Sequence, residues 1–276
     1  VNAGLYLMDV EAMSAPVRIT QTPVANAASV TDNGDDIYFV DGDGKVRHIS
    51  LANISAPVET VVADLQDGWG GVAVSKDGKR LALVSVRADT SIYIYDLAGK
   101  KLQRFRLSNP TYSGGVTGPD PSFADAMVWD YDNETVVYDA LTVVEKEGAD
   151  NIISWDIGML NAWKGNGFGD GKIMKLFPAV PEGIAIGNPF LAKESPYILG
   201  FDMQVIEGTD TSYAVVAANV ETSDVGVIVS LTDAGRGSYA SDDASVGYTV
   251  IADGKPSIYG IAVEKDKITG KAGTAE

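Results

Sequence analysis

Short apolar stretches separated by polar turns run along most of this chain, and they recur. Stretches rich in β-branched and aromatic residues begin near residues 5, 46, 92, 152, 213 and 258. Their mean spacing is about 51 residues, within the range that signals a repeat architecture. A second stretch of the same kind precedes five of them, at residues 37–40, 81–84, 136–138, 197–199 and 246–250. Such residues favour the pleated, half-buried surface of a β-strand.

Turn-forming residues precede most of these paired stretches. Clusters of Asp, Asn, Gly and Ser lie at residues 31–34, 75–78, 130–133 and 241–243. These residue types accept positive φ or cap a turn with their own side chains. Each repeat therefore predicts four antiparallel strands within 40 to 60 residues, the pattern of a propeller blade. No segment has a sustained helical period, so we predict an all-β chain.

One repeat carries a resemblance to a known family. Residues 71–85 followed by 92–99 resemble the WD-like repeat of TolB-type β-propellers. Residues 5–9 with 17–20, and 241–243 with 257–259, resemble parts of two further repeats. Two repeats depart from the pattern, because Asp132 and Asn133 stand where Asp-Gly is expected and residues 193–196 replace the turn altogether. The resemblance covers most of the chain and is more specific for fold than for function.

We predict a single domain, a six-bladed β-propeller of four-stranded antiparallel blades, over residues 1–276. Propellers usually close by pairing strands from both chain ends, so the N-terminal hairpin either completes the last blade or leaves it incomplete. Six repeats of the observed spacing need about 306 residues, more than the 276 present, which favours an incomplete blade or a chain that starts within a longer protein. The predicted boundaries are 1–22 for a half blade, then 25–65, 69–108, 123–178, 184–232 and 236–276.

Composition and charge exclude several kinds of functional site and disfavour several kinds of partner. The chain has no Cys and a single His, which excludes disulfides, thiolate metal sites and His-rich zinc centres. A formal net charge of −17 disfavours nucleic acid and anionic membranes as partners. No stretch is apolar and long enough to be a membrane helix, so we expect no direct membrane insertion. Partners should be neutral or cationic proteins or peptides, and we expect a monomer.

The loops between the second and third strands should emerge on one face of the ring, and they are acidic. They hold nine acidic residues: Asp41, Asp43, Asp89, Glu145, Glu147, Asp150, Glu207, Asp210 and Asp253. We interpret this face as a docking surface for a cationic partner, with Glu145, Glu147 and Asp150 as candidate binding residues because they lie in an inserted loop. The alternative is that acids simply populate the solvent loops of an acidic protein.

Three tryptophans are further candidates. Trp69 and Trp129 lie at or near the first strands of their repeats, where side chains either line the channel or pack between blades. Trp163 lies in a Gly-rich insertion over residues 158–172, where it either contacts a partner or folds back onto its own blade. Both interpretations stay open for each residue.

The sequence matches known metal-binding and catalytic motifs only poorly. Asp41 and Asp43, in an Asp-x-Asp-Gly sequence, resemble the start of a calcium loop, but the distal ligands are missing and Asp-Gly is also an ordinary hairpin turn. We keep calcium as a possible ligand and expect no other cofactor. No Gly-x-Ser-x-Gly motif occurs, so His48 has no evident nucleophile, and we assign no catalytic residue.

The function indicated is a non-enzymatic scaffold that binds a protein or ligand through its channel mouth and acidic loop face. The resemblance to TolB-like proteins implies a protein partner and a location in the periplasm or at the cell surface. Two enzymatic alternatives remain. The chain is also compatible with the propeller domain of a prolyl-oligopeptidase-like hydrolase that lacks its catalytic domain. The other alternative is a calcium-containing propeller hydrolase or lyase.

Overall fold

The computed structural model of the protein describes residues 4–9, 12, 14–62, 65–110, 119–144, 151–177, 180–233, 235–252 and 255–274. Within these residues the regular elements are all β-strands, which confirms the predicted fold class. The same part of the chain contains no helix with the length and apolarity that crossing a bilayer would require.

Most of the chain forms four antiparallel blades of four strands each. The first blade contains β3 (Ser29–Val30), β4 (Asp36–Val40), β5 (Val46–Ser50) and β6 (Val58–Val61). The second contains β7 (Trp69–Val74), β8 (Arg80–Ser85), β9 (Ser91–Asp96) and β10 (Lys101–Arg106). In the third, β11 (Phe123–Trp129), β12 (Thr135–Val144) and β13 (Ile152–Asn161) are followed by a small hairpin, β14 (Trp163–Lys164) and β15 (Gly167–Phe168), and then by β16 (Ile173–Lys175). The fourth contains β17 (Ile184–Leu191), β18 (Ile198–Glu207), β19 (Asp210–Asn219) and β20 (Val225–Leu231).

The fifth blade is smaller than the other four. It has three strands, β21 (Ser238–Tyr239), β22 (Ser245–Ala252) and β23 (Lys255–Ala262). A single bridge between Val263 and Gly270 stands in the place of a fourth strand. The described part of the chain therefore forms five blades, in agreement with a propeller in which a further blade is incomplete.

The N-terminal hairpin consists of β1 (Tyr6–Leu7) and β2 (Val17–Arg18), and it forms a two-stranded sheet of its own. It packs on the first blade through a shared apolar cluster, whose members include Leu5, Leu7, Ile19, Ile37, Phe39 and Ile49. Glu59 of β6 reinforces this contact, because its carboxylate accepts hydrogen bonds from the hydroxyls of Thr20 and Thr22. The hairpin thus occupies the position of a partial sixth blade beside the first.

The turn between the first two strands of a blade follows the predicted chemistry. In the second blade Ser75 Oγ donates to Asp77 Oδ1 at 2.7 Å, and Gly78 adopts a φ of 68°. The third blade reaches the same left-handed conformation with Asn133, at a φ of 55°. Asn tolerates that region better than most residues, which explains how this blade departs from Asp-Gly without losing the turn.

The hydrophobic core is divided into layers between neighbouring blades. The largest cluster joins the second and third blades, and separate clusters join the first to the second, the third to the fourth and the fourth to the fifth. Successive side chains along a strand point to opposite faces of the blade. Each strand therefore contributes apolar residues to the layers on both sides of its blade. The inner strands β3, β7, β11, β17 and β21 contact one another in chain order, as the channel-facing strands of a propeller do.

Candidate functional site

Three of the five inner strands described, β7, β11 and β17, are irregular at one end of the channel. The pairing of β7 shifts register between Trp69 and Gly71, that of β11 between Ala124 and Met127, and that of β17 between Gly187 and Phe190. Such irregularities free backbone N–H groups from the sheet and direct them elsewhere. In the third and fourth blades two of these donors, the N–H groups of Ala126 and Asn188, are both accepted by one buried aspartate.

Asp139 is this aspartate and lies in the middle of β12. Its Oδ1 accepts the N–H of Ala126 at 2.8 Å, and its Oδ2 accepts the N–H of Asn188 at 2.8 Å. The second bond joins the third blade to the fourth. Burial raises the pKa of Asp139 to about 6, although the N–H donors act in the opposite direction. Gly187 is required beside it, since a Cβ there would lie 2.8 Å from Asp139 Oδ2.

Asp202 occupies the equivalent position in β18. Its Oδ2 accepts the N–H of Arg236 at 3.0 Å and the side-chain amide of Asn188 at 2.9 Å, so it joins the fourth blade to the fifth. Burial raises its pKa as well, against the effect of these donors. The strand registers place Val40, Val84 and Thr249 at the same position in the other three blades. Buried acids at this position thus occur in the third and fourth blades, which are neighbours.

A cavity of about 200 Å³ opens at these two aspartates. We call it the channel pocket. Its lining is Asp125, Asp139, Trp155, Ala185, Ile186, Gly187, Asn188, Asp202, Met203, Gln204, Tyr213 and Arg236. The residues come from the third, fourth and fifth blades, so the pocket depends on the assembled ring rather than on any one repeat.

The pocket combines negative charge with aromatic surface. Among its described lining residues are three carboxylates, from Asp125, Asp139 and Asp202, and one guanidinium, from Arg236. Asp125 is exposed and accepts a hydrogen bond of 3.3 Å from the Asn26 side chain. Trp155 lies against Phe123 in an edge-to-face contact with ring centroids 5.6 Å apart. Carboxylates beside a partly exposed indole form an environment that favours a cationic guest.

Arg236 stands at the exposed side of the pocket with its backbone fixed and its side chain available. The backbone N–H is bound to Asp202, and φ is 44°. Among the described residues the guanidinium of Arg236 has no hydrogen bond or ion pair. It can therefore donate to an incoming carbonyl or carboxylate oxygen.

The tryptophans predicted from sequence lie elsewhere. Trp129 is 1% exposed and donates from Nε1 to the Ala73 carbonyl at 3.1 Å, between the second and third blades. Trp69 is also buried and lies edge-to-face on Tyr93. Trp163 is 6% exposed and packs on Phe168 and under the Arg80 guanidinium, 4.6 Å from its ring centroid. In this conformation all three fill interblade or local core, and a binding role for them stays a prediction.

The acidic candidates are placed as follows. Asp41 is buried, with Oδ1 accepting the N–H of Asp43 at 2.9 Å and of Lys45 at 3.0 Å, and with Oδ2 2.5 Å from Arg47 Nε. Burial alone would raise the pKa of Asp41, but these donors hold it below its ordinary value. The Asp-x-Asp-Gly pattern therefore builds a hairpin turn, and calcium at Asp41 and Asp43 stays a prediction.

The remaining candidates, Glu145, Glu147 and Asp150, lie outside the described residues. Across the residues that are described, no three His, Asp or Glu side chains are grouped closely enough to hold a metal ion. The single histidine, His48, lies in the first blade with Nε2 2.6 Å from Asp36 Oδ1, apart from the channel pocket.

Sequence reasoning missed the channel pocket. One signal was available, because Asp139 and Asp202 each interrupt an apolar strand, between Tyr138 and Ala140 and between Phe201 and Met203. Aligning the repeats on their turns would have placed both acids at one position, where the first two blades have valine.

Comparison with solved structures identifies the fold. The chain is similar to TolB from Acinetobacter baumannii at a TM-score of 0.63 and 15% identity, covering 91% of this chain and 55% of that one. It is similar to a protein from Agrobacterium tumefaciens assigned as TolB at a TM-score of 0.60 and 12% identity, covering 91% and 80%. An oligogalacturonate lyase from Vibrio parahaemolyticus matches at a TM-score of 0.53 and 11% identity, covering 95% and 84%.

These likenesses show a TolB-like β-propeller fold and confirm the predicted resemblance at that level. No protein-family model matches the sequence, and no curated protein matches it. The chain spans about half the length of the Acinetobacter TolB. Because one propeller fold hosts many unrelated functions, function must be argued from the channel pocket itself.

Proposed function

We propose that this TolB-like propeller is a binding module that takes a positively charged side chain of a protein partner into its channel pocket. The observation that carries the proposal is the pair of buried aspartates, Asp139 and Asp202, at the base of a cavity of about 200 Å³. A lysine or arginine side chain has a cationic end and an apolar stem, which suits a pocket with both carboxylates and aromatic surface.

The electrostatics of the pocket support a cationic guest. Burial raises the pKa of both Asp139 and Asp202, so the charged forms of these groups are disfavoured in the free protein. A cation in the pocket would stabilise the charged forms and lower both pKa values. The contribution of Asp139 to affinity should therefore rise with pH and level off above about 6, the pKa of Asp139 in the free protein. The net charge of −17 would also speed the encounter with a basic partner.

Arg236 gives the pocket a second recognition element. Its guanidinium can donate hydrogen bonds to a main-chain carbonyl of the bound segment, while the carboxylates receive the basic side chain. This arrangement favours a peptide over a simple inorganic cation. The resemblance to TolB-like proteins further leads us to propose a location in the periplasm or at the cell surface. We also propose that the protein is a monomer.

The test is a calorimetric titration with two acetylated, amidated hexapeptides of glycine that carry one arginine or one citrulline. Citrulline keeps the shape of arginine and removes its charge. The proposal requires that the arginine peptide bind and that the citrulline peptide bind at least tenfold more weakly. Equal binding of the two peptides, or none of the arginine peptide at low salt, would exclude it.

A matched pair of variants locates the binding. Asp125→Asn removes an exposed charge from the pocket, and we expect affinity for the arginine peptide to fall on the order of threefold to tenfold. Asp67→Asn makes the same change at an exposed acid that does not line the pocket. This control should leave affinity within about twofold.

A further inference from the structure

A second cavity, of about 190 Å³, lies between the third and fourth blades. We call it the apolar groove. The described residues that line it are Phe177, Val180, Pro181, Ile184, Ile186, Phe201, Met203, Val216 and Val225, and none of these side chains is charged or a strong hydrogen-bonding group. Most of these residues belong to the fourth blade, and Phe177 faces them from the end of the third, with its ring centroid 5.9 Å from that of Phe201.

The apolar groove adjoins the channel pocket. Ile186 and Met203 line both cavities. The two residues are direct partners in the pairing of β17 with β18, so their side chains lie side by side on one face of the blade. Ile186 is buried and fixed, whereas Met203 is half-buried and carries an unbranched, adaptable thioether. A shallow wall of two side chains therefore separates a negatively charged cavity from an apolar one.

The groove is open to an occupant from outside. Val225 at its edge is 51% exposed, and it belongs to β20, the outermost strand of the fourth blade. Filling such a space with a leucine or phenylalanine side chain removes apolar surface from water on both sides, which is enough to change affinity by about tenfold or more.

We propose that the apolar groove receives a large apolar side chain from the same partner segment that places its basic residue in the channel pocket. This inference rests on the proposed function and defines the partner segment more closely. The segment presents a basic and an apolar residue close together. The continuity of the two cavities through Ile186 and Met203 is the argument for one shared occupant rather than two independent ones. The charged cavity selects the basic residue, and the groove rejects polar neighbours because its lining offers them no hydrogen bonds.

The test uses the glycine hexapeptide with arginine fixed at its third position as the reference probe. Leucine is then placed at each of the other positions in turn, and each affinity is measured by calorimetry. We expect at least one leucine position to bind about tenfold more tightly than the reference. A serine at that position should give no gain.

Two variants decide where the leucine binds. Val225→Trp fills the groove from its exposed edge and should abolish the gain from leucine while leaving the affinity of the reference peptide within twofold. Val58→Trp places the same side chain at an exposed valine on β6 of the first blade and should preserve the gain.

The binding results distinguish failure of the groove inference from failure of the proposed function. If the reference peptide binds and no leucine position improves it, the groove inference is wrong and the proposed function stands. A gain that survives Val225→Trp also overturns the inference, because the leucine then binds outside the groove. If the reference peptide does not bind at all, both proposals fall.

Discussion

Asp139 Oδ2 accepts the backbone N–H of Asn188 at 2.8 Å, and this bond ties the third blade to the fourth. One blade further on, Asp202 repeats the arrangement by accepting the N–H of Arg236. The first bond holds the irregular part of β17, the second holds the chain two residues before β21, and both donor residues line the channel pocket. Structure and recognition thus depend on the same two carboxylates.

The pH dependence of stability should reveal the cost of burying Asp139. Its pKa is about 6 in the folded protein against an ordinary value of 3.8, so the folded state binds the proton more tightly than the unfolded chain. The stability gained from that proton is present below about pH 4 and is lost as the pH rises to about 6. The full loss corresponds to about 3 kcal/mol in the free energy of unfolding.

The variant Asp139→Asn does not titrate and isolates this effect. Relative to wild type, its free energy of unfolding should increase by about 2–3 kcal/mol between pH 4 and pH 7, measured by urea denaturation. A difference that stays constant with pH would show that Asp139 is not desolvated as described.

The contribution of Glu59 to stability should depend on pH in the opposite direction from that of Asp139. Its carboxylate accepts the hydroxyls of Thr20 and Thr22 and pairs with Arg47 Nη1 at 2.8 Å. Burial acts to raise its pKa, but these partners hold it below its ordinary value. Its contribution to stability is therefore present at neutral pH and is lost as the pH falls below about 4.5, the ordinary glutamate value.

The measurement compares Glu59→Gln with wild type. We expect a loss of about 1–2 kcal/mol in the free energy of unfolding at pH 7 that shrinks at acid pH. Glu207→Gln, at an exposed acid of β18, should have almost no effect at either pH. A loss from Glu59→Gln that grows on acidification would contradict the account.

Trp129 should contribute to the stability of the fold rather than to binding. Trp129→Phe removes the hydrogen bond to the Ala73 carbonyl and leaves a small cavity between the second and third blades. We expect unfolding in urea to require about 1–3 kcal/mol less. Trp155→Phe, at a half-buried residue of the channel pocket, should cost less stability. A negligible effect of Trp129→Phe would be inconsistent with the packing observed.

Local patterns predicted the fold because propeller blades are local structures. The spacing of apolar stretches indicated the strands, and Ser75 to Gly78 was recognisable as a turn from its residue types alone. Asn133 shows the limit of this rule, since the third blade keeps the turn without glycine.

The candidate site could not be predicted in the same way, because it is built between repeats. Asn188 lies 49 residues from Asp139 in sequence, and nothing in either neighbourhood indicates their hydrogen bond. For Trp163 the Gly-rich surroundings leave two interpretations open, an exposed contact residue or a side chain that folds back. Contacts with Arg80 and Phe168 hold it against the protein, and Arg80 lies 83 residues away in sequence.

The central claim is that the channel pocket binds a basic side chain, and a crystal structure with the arginine hexapeptide tests it most directly. We predict electron density for the guanidinium inside the pocket, within reach of Asp139 and Asp202, with Arg236 donating to the peptide main chain. Density for the arginine side chain at any other site, with the pocket holding solvent alone, would contradict it.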